Sequence, residues 1–149
     1  MIAALDTNIL AYAAGVDDET RRDQAIRLMQ SIPSVRLLVP VQVLGELHAV
    51  LVRTGTSRVA AGEIVSGWCD FFGLIPMTAM VLAKAIELAA DHGLTTWDAV
   101  ILSAASAAGC NVLLSEDMHD GFIWGGVTVV NPFATTPHRL LEDLRRGVR

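Results

Sequence analysis

Residues 1–8 read MIAALDTN, and this stretch decides how the rest of the chain is interpreted. The apolar run 2–5 is typical of a short buried strand. Asp6, Thr7 and Asn8 follow it directly. In open α/β sheets, sites form beyond the carboxyl ends of the strands, where the strand order reverses. The stretch therefore predicts a buried first strand that ends in a polar turn of functional interest.

Short apolar runs and helical patterns alternate along the rest of the chain. We expect further strands at residues 35–39, 72–75, 111–114 and 127–130. Capping residues, helical spacing and terminal glycines predict helices at about 17–32, 41–53, 57–71, 78–92 and 95–108, with one short helix in the tail. This alternation predicts an α/β fold, a three-layer α/β/α sandwich around a short, mainly parallel central sheet.

Length and composition indicate one folded domain over residues 1–149, with a core at about 1–133 and a C-terminal tail at 134–149. Hydrophobic residues make up 52% of the chain and charged residues 18%, which argues against intrinsic disorder. The net charge of −5 argues against a protein that holds nucleic acid by a bulk positive field. It does not exclude an enzyme whose acids are gathered at one metal site.

Three features of the sequence bear on the cellular compartment and on membrane association. The two cysteines, Cys69 and Cys110, are isolated, which excludes a disulfide scaffold and a cysteine-rich zinc site. The N-terminus lacks the basic segment of a signal peptide. The charge-free segment 121–138 is interrupted by glycines and prolines, so it does not predict a membrane span. We expect a cytoplasmic protein with no membrane partner.

Four acids stand out by their placement. Asp6 follows the first strand, and Asp117 follows the strand at 111–114 within the sequence Ser115-Glu116-Asp117. Glu46 lies on a largely apolar helix face, and Asp98 stands near the start of a helix. Two of the acids thus follow strands, and the other two lie on helices that can pack beside the same strand ends.

Each acid also has a structural explanation. Asp6, Thr7 and Asn8 are good helix N-cap residues, and residues 95–98 match a capping box. Asp117 is equally explained as a turn acid or a cap. Glu46 can form a salt bridge with Arg53 or Arg58, because an unpaired carboxylate on a buried face is costly.

If all four acids ionise within about 5 Å of one another, each pair repels by roughly 3 kcal/mol at an effective dielectric near 20. Such a cluster needs protons, bound cations or access to water. A ligand set made only of oxygen suits Mg²⁺ or Mn²⁺. A bound metal of this kind activates water and stabilises charge on a phosphate. Removing the four acids leaves 12 acidic against 11 basic residues, so most of the net charge would belong to this site.

The ordered set of motifs resembles the PIN domain family, and in order and spacing the VapC-type toxins of toxin–antitoxin pairs. The resemblance rests on Asp6-Thr7-Asn8 after a strand, Glu46 in an apolar helix, residues 96–101 (TWDAVI), residues 114–117 (LSED) and residues 131–133 (NPF). It covers about residues 1–133, and no single motif is specific by itself.

The resemblance implies a short parallel sheet flanked by helices and a ribonuclease that depends on Mg²⁺ or Mn²⁺. By carry-over, Asp6, Glu46, Asp98 and Asp117 would be the catalytic, metal-binding acids. Thr7, Asn8 and Ser115 would support them by orienting a carboxylate or a water. The implied partners are an RNA substrate and a cognate antitoxin protein, and a homodimer is the implied assembly.

Several assignments remain open at this level. Glu116 or Asp120 could replace or assist Asp117, and His119 is explained either as a substrate contact or as a solvated loop residue. Trp68, Trp97 and Trp124 suit base stacking or ordinary packing. Arginines cluster on one helix and on the tail, where they suit either RNA phosphates or a solvated face; these are Arg21, Arg22, Arg27, Arg139, Arg145, Arg146 and Arg149.

Other functional classes explain the same acids less well. A catalytically inactive scaffold with the same fold is the main alternative. A phosphoryl-accepting receiver domain would have an acid pair after strand one and a lysine late in the chain, whereas the only lysine is Lys84. A haloacid-type phosphatase would have Asp-x-Asp, whereas position 8 is Asn8.

Overall fold

The apolar run at the start of the chain forms the central strand, β1 (Ala3–Leu5), in which every residue is buried. This and all further coordinates come from a computed structural model, which describes residues 1–147. Arg149, one of the tail arginines considered above, lies outside the described residues. Because both faces of β1 are covered, its sequence carries no polar alternation.

Six strands form one sheet in the order β3-β2-β1-β4-β6-β5. The remaining strands are β2 (Leu37–Pro40), β3 (Gly73–Ile75), β4 (Val112–Leu114), β5 (Ile123–Trp124) and β6 (Val127–Val130). All neighbouring pairs are parallel except β5 with β6. The chain builds outward from β1 on one side and then returns to add β4 on the other, so the strand order reverses between β1 and β4.

Helices connect the strands. Their bounds are α1 (Thr7–Ala13), α2 (Glu19–Gln30), α3 (Val41–Arg53), α4 (Arg58–Phe71), α5 (Ala79–His92), α6 (Thr96–Ala107) and α7 (Arg139–Arg146). Side-chain oxygens of Ser57, Thr78 and Thr95 accept backbone hydrogen bonds that begin α4, α5 and α6. Gly93 ends α5 with φ of 68°, a left-handed conformation that suits glycine.

The predicted α/β architecture with a mainly parallel sheet is confirmed, and three local predictions change. Strand β2 begins two residues later than expected, because residues 34–36 form a single 3-10 turn with Val35 84% exposed. Helix α1 was not predicted, since seven residues are too few to show a helical period. The two-residue strand β5 was also missed for want of any pattern.

The tail helix α7 is part of the hydrophobic core. Leu141 is 1% exposed and Leu144 is fully buried, and both belong to the same cluster as the central strands. The opposite face carries charged residues, as the strong amphipathic pattern RLLEDLRR requires. The short helix expected in the tail is therefore present, and it packs on the body of the domain.

Within residues 1–147, every helix is too short or too polar to traverse a bilayer.

The packing of α7 is testable by a cavity-forming substitution. We expect Leu141→Ala to lower the free energy of unfolding by about 2–5 kcal/mol, because a buried leucine loses its contacts and leaves a cavity. Val35→Ala, at the exposed turn, is the control and should stay within about 0.5 kcal/mol of the wild type. Equal urea midpoints for the wild type and Leu141→Ala would mean that the tail helix is not part of the core.

Candidate functional site

Asp6 occupies the carboxyl end of the central strand and begins α1. Its backbone N–H donates to the Leu114 carbonyl at 3.0 Å, which continues the pairing of β1 with β4. One carboxylate oxygen accepts from the Thr7 backbone N–H at 2.7 Å, and the other accepts from the Ser115 hydroxyl at 2.6 Å. The capping interpretation of Asp6 is thus correct, and its second oxygen faces the end of β4.

The burial of Asp6 is unusual for a carboxylate, since only 4% of the residue is exposed. Burial raises the pKa of Asp6 to about 6, although the hydrogen bonds from Ser115 and the Thr7 backbone oppose this shift. The negative charges of Asp98 and Asp117 raise the pKa further. Asp6 therefore sits in a site that disfavours its own charge and would gain from a nearby cation.

Asn8 joins the ends of β1 and β4. Its Nδ2 group lies 3.1 Å from an oxygen of Asp6 and 3.2 Å from an oxygen of Asp117. Its Oδ1 atom accepts from the Glu116 backbone N–H at 3.3 Å. Ser115 strengthens the same junction, because its hydroxyl donates to Asp6 and accepts from the Met118 backbone N–H at 3.2 Å. Asn8 and Ser115 thus hold Asp6 and Asp117 on one polar surface.

Glu46 is brought to the same end of the sheet by α3, which starts directly after β2. One of its oxygens accepts from the Thr7 hydroxyl at 3.1 Å, and the other accepts from Nε2 of Gln42 at 3.1 Å, one helical turn earlier. The alternative salt bridges to Arg53 or Arg58 are not formed in the described part of the chain. Thr7 follows Asp6 directly in the sequence, so its bond to Glu46 links the two acids.

Asp98 lies in the first turn of α6. Its backbone N–H donates to the Thr95 hydroxyl at 3.2 Å, which is one half of the expected capping box. The reciprocal bond, in which the Asp98 carboxylate would accept from the Thr95 backbone N–H, is not among the hydrogen bonds of residues 1–147, so the carboxylate is free to act on the site. Trp97 beside it is 50% exposed, on the rim.

The four acids surround the carboxyl ends of β1 and β4, where the strand order reverses. Asp6 and Asp117 are joined through Asn8, Glu46 is joined through Thr7, and Asp98 contributes through its charge. Yet no three His, Cys, Asp or Glu side chains within residues 1–147 are close enough to hold one metal ion between them. The carboxylate ligands on offer are all oxygens. Mg²⁺ prefers oxygen ligands, and it usually binds through one or two carboxylates while keeping several waters.

Sequence reasoning missed the side chains that support the segment after β4. The Tyr12 hydroxyl donates to Glu116 at 2.6 Å, and Arg21 forms an ion pair with the same carboxylate. Burial and the hydrogen bond to Glu116 raise the pKa of Tyr12 to about 12, so its proton stays in place. A signal existed for Tyr12, which lies four residues after Asn8 and so shares its helix face.

The two alternative acids therefore have other partners. Glu116 is held by Tyr12 and Arg21, and an oxygen of Asp120 accepts from the Asn131 backbone N–H at 2.7 Å. Asp117, by contrast, faces Asn8 and is exposed to solvent. His119 is also exposed and makes no side-chain hydrogen bond or ion pair within residues 1–147, which agrees with a solvated loop residue.

The raised pKa of Asp6 predicts a pH dependence of stability without metal. Between about pH 4 and pH 6 the folded state binds more protons than the unfolded state, so wild-type stability should fall as pH rises, by up to about 3 kcal/mol. Asp6→Asn lacks this titration. The difference in free energy of unfolding, variant minus wild type, should therefore increase as pH rises from 4 to 6. Urea unfolding in EDTA measures both profiles.

Asp70→Asn, at an exposed position on α4, is the matched control and should follow the wild-type profile. Parallel profiles for wild type and Asp6→Asn from pH 4 to pH 7 would show that Asp6 is not destabilised as a buried anion.

No curated protein matches the chain significantly. The solved structures that resemble its fold include three with less than 25% identity, which bear on the fold alone. VapC20 of Mycobacterium tuberculosis, described as a toxin that cleaves the sarcin–ricin loop, has a TM-score of 0.68 at 24% identity, covering 77% of this chain and 89% of its own.

The other two come from assemblies. A toxin–antitoxin complex from Klebsiella pneumoniae gives a TM-score of 0.67 at 19% identity, with coverage of 88% of this chain and 98% of the other. VapBC2 from Rickettsia felis, bound to a DNA fragment from its promoter, gives 0.57 at 20% identity, with coverage of 78% and 88%. The sequence profile of the PIN domain matches residues 3–119, most of the chain. The protein therefore belongs to the PIN domain family.

Proposed function

We propose that the protein is a metal-dependent endoribonuclease that hydrolyses RNA phosphodiester bonds at the four-acid site. The observation that carries this proposal is the position of Asp6. It is buried at the switch point of the sheet, without a cationic partner in the described chain, and two further acids raise its pKa. A protein keeps such a destabilising arrangement where it serves chemistry. The PIN fold supports the same reading.

Mg²⁺ or Mn²⁺ is the cofactor that the donor set fits. Asp6 and Asp117, connected by Asn8, would provide two carboxylates, and Glu46 and Asp98 would add negative charge from two helices. Mg²⁺ binds through one or two carboxylates and keeps several waters, so it does not require three protein ligands around one ion. Zinc sites in proteins usually include histidine or cysteine ligands, and neither is among the proposed ligands.

The chemistry supplied by a bound Mg²⁺ or Mn²⁺ is a water of lowered pKa and positive charge beside the phosphate. The residues of the chain do the positioning. Asn8 and Ser115 fix the Asp6 oxygens, Thr7 and Gln42 fix Glu46, and the Tyr12–Arg21 contacts to Glu116 hold the segment that carries Asp117. In the reaction a water loses a proton to solvent as its oxygen bonds to phosphorus, the phosphorus–ribose oxygen bond breaks, and the leaving oxygen takes a proton from solvent.

The biological role that we propose is the toxin of a toxin–antitoxin pair, acting in the cytoplasm, with a cognate antitoxin as inhibitor and a homodimer as the assembly. One of the similar structures is described as a toxin–antitoxin complex, another as VapBC2 bound to promoter DNA, and a third as a toxin that cleaves the sarcin–ricin loop. The chain covers 88–98% of these proteins, which supports a whole-protein comparison.

Substitution of the acids tests the assigned site. In Mg²⁺ or Mn²⁺, we expect Asp6→Asn or Asp98→Asn to lower the rate of RNA cleavage by at least about 100-fold, because the metal loses charge or a ligand. Asp70→Asn removes one charge from an exposed position of α4 and should keep the wild-type rate. Cleavage of a fluorophore–quencher RNA gives the rates, and a folded Asp6→Asn protein with full activity would refute the assignment.

An inactive scaffold is the alternative function, and the loose spacing of the acids within residues 1–147 favours it. Calorimetric titration with Mn²⁺ separates the two. We expect the wild type to bind Mn²⁺ at micromolar to millimolar concentration, and saturation at about 100 times Kd to stabilise the fold by roughly 2.7 kcal/mol. Asn8→Ala should weaken binding by about 10–100-fold. No binding at millimolar Mn²⁺ would favour the scaffold.

A further inference from the structure

A cavity of about 400 Å³ lies beside α2, between this helix, α7 and the segment that follows β6. Gln24, Arg27 and Ser31 line it from the α2 side, Arg145 lines it from α7, and Phe133 forms part of its wall. Its size falls in the range of roughly 300–1,000 Å³ that is typical of ligand sites. No carboxylate is among the described residues that line it.

The two arginines of this cavity are 118 positions apart in sequence and converge only because α7 packs on the core. Nε of Arg145 donates to the Ser31 hydroxyl at 3.1 Å, and that hydroxyl donates to the Leu28 carbonyl at 2.7 Å. Arg145 is thus held in place by one edge of its guanidinium. Among residues 1–147, neither Arg27 nor Arg145 forms an ion pair with a carboxylate.

Three other arginines of the same two helices are paired with acids, whereas the exposed Arg22 of α2 forms no ion pair within residues 1–147 and does not line the cavity. Arg139 pairs with Asp143 at 3.7 Å, Arg146 pairs with Glu142 at 3.7 Å, and Arg21 pairs with Glu116. In a chain with a net charge of −5, two unneutralised guanidinium groups facing one cavity form a local positive field. Guanidinium groups bind phosphate oxygens through paired hydrogen bonds, which makes a phosphate the matching ligand.

The cavity is linked to the candidate active site by a chain of side-chain contacts. Phe133, in its wall, packs edge-on against Tyr12 with ring centroids 5.9 Å apart, and it lies under the Arg21 guanidinium at 4.8 Å. Arg21 and Tyr12 in turn hold Glu116, the neighbour of Asp117. The wall of the cavity thus contacts the two side chains that hold the neighbour of Asp117.

We propose that the cavity between α2 and α7 is a subsite for a backbone phosphate of the single-stranded RNA substrate, away from the cleaved bond. This inference rests on the proposed function, which supplies RNA as the substrate. The acids at the site of cleavage repel RNA, so affinity must come from cationic contacts elsewhere along the strand. An acidic segment of a protein partner would also suit the arginines, but the chain of contacts from Phe133 to the neighbour of Asp117 favours the substrate.

The test is the binding of a fluorescein-labelled, single-stranded 12-nucleotide RNA in EDTA, measured by anisotropy from 50 to 200 mM salt. Arg27→Gln is the first variant, because Arg27 makes no side-chain hydrogen bond or ion pair within residues 1–147 and its loss should leave the melting temperature unchanged. We expect about a three- to tenfold loss of affinity at low salt. The slope of log K against log salt should fall by about 0.7 for each phosphate contact removed.

Arg139→Gln is the matched control, with the same charge change on α7 but outside the cavity. It should change affinity by less than twofold, whereas Arg27→Gln combined with Arg145→Gln should lower the salt slope by about 0.7, the value for the one phosphate contact of the subsite. Cleavage by the same variants in Mn²⁺ should show a raised KM with kcat unchanged.

The outcomes separate the subsite from the proposed function. If Arg27→Gln binds RNA more weakly than the wild type does, and the wild type cleaves no RNA, the result would support the subsite and refute the nuclease. Cleavage with unchanged RNA affinity in the double variant would overturn the subsite and leave the nuclease intact. Equal losses of RNA affinity in Arg27→Gln and Arg139→Gln would also overturn the subsite, because they would indicate a general electrostatic field. Failure of the wild type to bind the RNA would overturn the subsite as well.

Discussion

The burial of one carboxylate, that of Asp6, is the constraint on which the site depends. Asp6 follows the central strand at the point where the strand order of the sheet reverses, and it is almost completely buried there. Two hydrogen bonds offset part of the cost of its charge, and the acids around it add to that cost. The fold thus stores an unfavourable interaction in the position where a cation would relieve it.

The side chains around Asp6 are organised by short polar links that run between elements distant in sequence. Thr7 reaches Glu46 on α3, Asn8 reaches Asp117 after β4, and Tyr12 reaches the neighbouring Glu116. All three belong to α1, so this short helix is the element that connects the strand ends. Its polar residues are spaced to face both sides of β1, while its apolar residues enter the core.

Much of this arrangement is predictable because it depends on local pattern. Buried strands followed by acids, capping residues and terminal glycines all carry signals within a few residues, and the structure agrees with most of them. The partners of Glu46 and Glu116 are not predictable, because they depend on how α1, α2 and α3 pack. Glu116 is as plausible a ligand as Asp117 in sequence, and only Tyr12 and Arg21 distinguish them. The convergence of Arg27 and Arg145 likewise depends on the docking of α7.

A crystal grown with Mn²⁺ tests the central claim most directly, because anomalous scattering locates the ion independently of activity. The account predicts an anomalous peak at the carboxyl ends of β1 and β4, within about 2.0–2.4 Å of an oxygen of Asp6 or Asp117 and with waters completing the coordination. A peak elsewhere on the molecule, or none here at saturating Mn²⁺, would contradict the view that the buried carboxylate exists to hold a metal.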